Sequence, residues 1–129
     1  SRYVPEVKSI IDESKVKILE SALRNANSYY NLSERPLYYN QALELFDEFS
    51  PEIKKLPPHL LGYKNKCYLG ILRSYYFVME DTKDRGLKSE NYKLFQENYY
   101  RLIEKFSSKS DELYQAEELF KKVNQYHKS

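Results

Sequence analysis

The stretch LLGYKNKCYLGILRSYYFVM (60–79) decides the fold class. Leu60, Tyr63, Cys67, Ile71, Tyr75 and Val78 or Met79 recur every three or four residues, the period of one helix face rather than the alternation of a strand. Gly62 and Gly70 stand eight residues apart, nearly on one side of this helix, where each costs about 1 kcal/mol relative to alanine. Their shared side admits close approach of a neighbouring helix. Pro57-Pro58 marks the start and the polar run through Gly86 marks the end, so the spacing predicts a helix over 58–82 and a loop over 81–86.

The same period continues on both sides. Upstream, Val7, Ile11, Ile18, Ala22, Ala26 and Tyr29 form one apolar stripe, and Ile10, Leu19 and Leu23 widen it. This predicts a first helix over 5–31, with Pro5 in its first turn, where a missing N–H costs nothing. Ser33-Glu34 ahead of Pro36 starts a second helix on Tyr38, Ala42, Leu45, Phe46 and Phe49. Pro51 either kinks or stops it, because a proline inside a helix removes a hydrogen bond and crowds the preceding turn.

Downstream, Ser89-Glu90 opens a fourth helix carrying Tyr92, Phe95, Tyr99, Leu102, Ile103 and Phe106. After a loop over 107–111, with the capping-box-like Ser108-x-x-Asp111, a fifth helix runs to about 126 on Leu113, Ala116, Leu119, Phe120 and Val123. No run alternates long enough to form a strand. The expected architecture is all-α, a single domain over 1–129. About five antiparallel helices are joined by short loops as an up-and-down bundle or a short array of helical hairpins.

Two segments share a pattern: Tyr39-x-x-Ala42-x-x-Leu45-Phe46 and Tyr114-x-Ala116-x-x-Leu119-Phe120. Each resembles the second helix of a tetratricopeptide (TPR) hairpin, in which a small alanine packs closely and a large aromatic follows four residues later. The likeness covers only these two pieces. The helices are longer than a 34-residue repeat accommodates, and Arg73 stands where that family has tyrosine after Leu69-Gly70. It implies a TPR-like arrangement and assigns no functional residue.

Charge narrows the function. Twenty-one basic residues face nineteen acidic ones, a net of +2, with the signs interleaved. A nucleic-acid-binding domain ordinarily shows a basic excess or stripe. The longest apolar runs, 68–72 and 75–79, fall far short of the roughly twenty residues that span a bilayer. A single cysteine, Cys67, excludes an internal disulfide and accords with an intracellular, cytoplasmic compartment. Its apolar neighbours Tyr68, Leu69 and Ile71 place it in the core rather than in a reactive site. The opening Ser1-Arg2-Tyr3, without Met or an apolar leader, is expected of a mature form or, by preference, of a fragment of a longer chain.

No residue set offers chemistry. His59 and His127 are far apart, and neither joins Cys67 in a ligand pair. Asp81-x-Lys83-x-Arg85-Gly86 puts cations where a calcium loop needs oxygen ligands. Glycine-rich phosphate loops and nucleophile elbows are absent. We therefore expect no enzyme, no metal and no cofactor.

Tyrosine is the unusual residue. There are fourteen and no tryptophan, with doublets at Tyr29-Tyr30, Tyr38-Tyr39, Tyr75-Tyr76 and Tyr99-Tyr100. Neighbours on a helix point about 100° apart, so one ring of each doublet belongs in the core and the other at its edge. Edge tyrosines serve either simple packing between long helices or a binding surface. The functional expectation is an adaptor or scaffold domain that binds another protein or the rest of its own chain. Its surface would draw on Tyr30, Tyr38, Tyr76 and Tyr100, with Lys64, Lys66 and Arg73 on the outer side of the third helix. The alternative is a single-stranded nucleic-acid binder that stacks bases on these tyrosines and meets phosphates with scattered Lys and Arg. Apolar residues on two sides of the first helix also raise homodimerisation through it; packing of that helix on all sides is the competing reading.

Overall fold

The computed structural model describes the backbone of residues 4–128 and the side chains of residues 12–125. Within these residues the chain forms five α-helices and no strand. They are α1 (Val4–Ser28), α2 (Arg35–Phe49), α3 (Tyr63–Asp81), α4 (Arg85–Leu102) and α5 (Asp111–Lys128). None is long and apolar enough to cross a membrane.

The helix ends correct the expected boundaries. α1 stops at Ser28, because Asn31 leaves the helix and caps the next turn, its Oδ1 accepting from Ser33 N at 3.0 Å. Pro51 ends α2 instead of kinking it, within a 3-10 turn at Ser50–Glu52. A second such turn at Pro58–Leu60 precedes α3, so Gly62 lies outside that helix. Its φ of 74° is left-handed, a conformation that costs other residues about 1–2 kcal/mol. α4 starts four residues earlier than Ser89, at Arg85. Asp84 Oδ1 accepts from Gly86 N at 2.9 Å and Leu87 N at 3.2 Å, which satisfies two donors that a helix start leaves open. At α5 the cap is Ser110, whose Oγ accepts from Leu113 N, rather than Ser108.

Successive helices pack antiparallel. Asn27 meets Tyr39 between α1 and α2, Phe46 stacks on Tyr63 between α2 and α3, and Tyr75 meets Asn98 between α3 and α4. Phe120 stacks on Tyr99 at 4.1 Å between α5 and α4. α1, α3 and α5 therefore run in one direction. Direct contacts join them: Tyr63 donates to Leu19 O at 2.7 Å, and Arg73 donates to Gln115.

α3 is the central helix. It packs on α2, α4 and α5, and it contributes Tyr63, Cys67, Ile71, Leu72 and Met79 to the fully buried core. Ala42 and Ala116 are wholly buried, each one turn before the aromatic that stacks on the neighbouring helix. α1 is neither packed all round nor open along Leu19 and Leu23. Leu19 is fully buried and Leu23 half-buried, whereas Ile18 is 44% exposed. The side chains of Val7, Ile10 and Ile11 lie outside the described residues.

Candidate functional site

On α3, Lys66, Gly70, Arg73 and Phe77 share one face, about 100° around the helix from the core positions Cys67 and Ile71. On α5, Glu112, Gln115, Glu118 or Leu119, and Lys122 form the corresponding face. Because the two helices run in the same direction, these faces border a common groove made of two clefts. One cleft, of about 450 Å³, is lined by α3 and the start of α5, with Asn27, Arg35 and Tyr39 on its other side. The second, of about 270 Å³, lies between Tyr76 and Phe77 of α3 and Tyr114 and Leu119 of α5. The clefts share Arg73, Phe77 and Gln115, so they adjoin, with the Arg73–Gln115 bond between them.

The floor is built by close approach. A Cβ at position 70 would sit 2.7 Å from Tyr39 Cε2 and nearer still to Cζ and Cε1, so only glycine lets the ring lie there. The Tyr39 hydroxyl then donates to Asn27 Oδ1 and ties α1 to the floor. Ser74 is buried and spends its hydroxyl on Gly70 O at 2.7 Å. Burial raises the Tyr39 hydroxyl above its ordinary pKa, and the opposing fields of Arg35 and Arg73 only soften the effect.

The walls differ. Arg35, Lys66 and Arg73 line the α2–α3 side; Asp111 and Glu112 line the start of the α5 side, and Glu118 and Lys122 its far end. Among the described residues the ion pairs are Lys15–Glu52, Lys64–Asp47 and Lys121–Glu118, with a hydrogen bond between His59 and Glu20, and none of these crosses the groove. The Arg73–Gln115 bond spans it with a neutral acceptor. Toward the far end the trough is aromatic, with Phe77 40% and Tyr114 65% exposed. Large exposed rings of this kind are the anchors that protein interfaces favour.

Of the seven residues singled out in the sequence, the groove brings together Lys66, Arg73 and Tyr76. Lys64 turns away to pair with Asp47, its Nζ 6.0 Å from the centre of the Phe46 ring. Tyr38 packs against Tyr29 at 4.3 Å on the α1–α2 corner. Tyr30, 84% exposed, borders a separate hollow with Val78 and Asp81, and Tyr100 leans on Phe120. Sequence reasoning missed Phe77, Tyr114 and Gln115. The spacing Lys66–Gly70–Arg73–Phe77 was the available signal, since it marks a second face of α3 that mixes charge, a gap and an aromatic ring.

The doublets divide largely as their geometry requires. Tyr39 and Tyr99 are buried while Tyr30 and Tyr100 are well exposed, but Tyr75 and Tyr76 are both half-buried. Cys67 is buried and its thiol pushed up to about 12, so it stays protonated at neutral pH. No group of His, Cys, Asp and Glu among the described residues is arranged to hold a metal ion. Compared with protein-family models, curated proteins and solved structures, the chain matches none.

Proposed function

We propose that this chain is a non-catalytic interaction domain that takes a segment of another protein, or of its own longer chain, in the α3–α5 groove. The observation that supports this reading is the adjacency of two clefts, one rich in charge and one in exposed aromatic rings, that meet at Arg73. A site that joins an aromatic anchor to charged groups suits a peptide segment, which offers both kinds of side chain within a few residues. The TPR-like pairing of hairpins fits the same role, and a buried, reduced Cys67 fits an intracellular setting.

The nucleic-acid reading finds less support, because Asp111 and Glu112 would repel phosphates where Lys66 and Arg73 would attract them.

The test is comparative capture from an extract of the native source. Phe77→Ser with Tyr114→Ser removes two exposed rings without opening the core and should abolish capture of any specific partner. Tyr100→Ser, outside the groove, should leave it intact. A partner retained by the double variant would place binding elsewhere on the molecule.

A further inference from the structure

Resting on that reading, we infer that the groove's occupant is an amphipathic α-helix whose apolar stripe is flanked by acidic residues along one edge and basic residues along the other. The first ground is electrostatic. The α2–α3 wall carries Arg35, Lys66 and Arg73, and facing them the start of α5 carries Asp111 and Glu112. Farther along α5 come Glu118, paired with Lys121, and Lys122, while among the described residues no ion pair joins the two walls. A wholly acidic segment meets repulsion from α5, and a wholly basic one from α3. A segment with its charges sorted by edge satisfies both walls where Lys66 and Arg73 face Asp111 and Glu112.

The second ground is backbone chemistry. An extended peptide needs partners for its own N–H and C=O groups, and these helices offer no strand edge to supply them. Asn27 Oδ1 already accepts from Tyr39, Gln115 Oε1 from Arg73, and the Ser74 hydroxyl donates to Gly70 O, which leaves isolated side-chain groups and no ladder for an extended backbone. A helix satisfies its backbone internally and asks only for side-chain contacts.

The third ground is shape. The groove faces run from Lys66 to Phe77 on α3 and from Glu112 to Lys122 on α5. Each spans about 15–17 Å at 1.5 Å per residue, or three turns of a docked helix. Phe77, Tyr114 and Leu119 then receive its apolar stripe at one end.

The test uses the full chain and, beside a peptide with Glu on both edges, three synthetic peptides of one length, read by fluorescence anisotropy. One sorts Glu and Lys to opposite edges of a Leu/Phe stripe, one alternates the signs on both edges, and one is the sorted peptide interrupted by proline. Reversing a docked helix exchanges its edges, so a single sorted peptide covers both directions. The sorted peptide should bind at least about tenfold tighter than the alternating one, and the interrupted peptide should not bind. Glu112→Lys with Glu118→Lys, checked for unchanged helicity, should reverse the preference toward a peptide with Glu on both edges. Equal binding of sorted and alternating peptides, lost in Phe77→Ser/Tyr114→Ser, would overturn the charge-sorted helix while leaving the groove as a protein-binding site. Tight binding of the interrupted peptide would overturn the helical occupant alone. Failure of every peptide, or binding that ignores the Phe77 and Tyr114 changes, would overturn this inference; loss of the function itself is read from the capture experiment.

Discussion

The ring of Tyr39 occupies the space that any side chain at Gly70 would need, and from there its hydroxyl reaches across to Asn27. One aromatic residue thus joins three helices at the floor of the groove. Gly70→Ala should destabilise the domain by about 1–3 kcal/mol in denaturant titration, although alanine is the better helix former. In a Tyr39→Ala background the same change should be neutral or stabilising, because the methyl then enters a vacated space. Equal costs in both backgrounds would mean that ring and glycine do not interact.

Ile71 is fully buried and Leu45 only half-buried. Ile71→Ala should cost about 2–5 kcal/mol by equilibrium unfolding, and Leu45→Ala markedly less. A reversed order would mean that the α2–α3 contact, rather than the centre of α3, holds the densest packing.

Asp84 accepts two backbone N–H bonds at the start of α4. Asp84→Ala should remove about 1 kcal/mol of stability, whereas Asp84→Asn should retain most of it. Equal losses would assign the effect to charge rather than to capping.

Alkaline pH should weaken the fold. Burial pushes the Cys67 thiol from its ordinary 9.0 to about 12 and raises the hydroxyls of Tyr39, Tyr63, Tyr68, Tyr75 and Tyr99 above 10.0. Such groups keep their protons longer when folded, so the unfolded chain releases them first. Stability is therefore fully present below about pH 9 and falls progressively toward pH 12. Urea midpoints at pH 7, 9 and 10.5 would show it, and Cys67 should resist thiol reagents until the chain unfolds. A midpoint that stays level to pH 10.5 would contradict the buried placement of these groups.

The helices and their core were legible because Tyr63, Cys67 and Ile71, or Ala116, Leu119 and Val123, repeat at the helical period with little competition from turn residues. Gly62 was misread because hydropathy carries no sign of φ, and its left-handed turn comes from the Pro58–Leu60 segment in front of it. Asp84 was passed over because polar residues surround it, and only the hydrogen bonds separate a cap from a loop. Of the groove, Lys66 and Arg73 could be seen as outward positions of α3. Their partner wall could not. Arg73 and Gln115 are 42 residues apart, and their meeting depends on α4 returning the chain so that α5 lies beside α3.

That placement gives the two walls unequal kinetic character. α3 is packed by neighbours on several sides, so its amides from Cys67 to Leu72 should exchange with solvent only on global unfolding. α5 packs chiefly on α3 and more lightly on α4, so its amides should exchange through smaller local openings. The trough therefore has one fixed bank and one that breathes, and a ligand seated in it would be read most clearly as slowed exchange along α5.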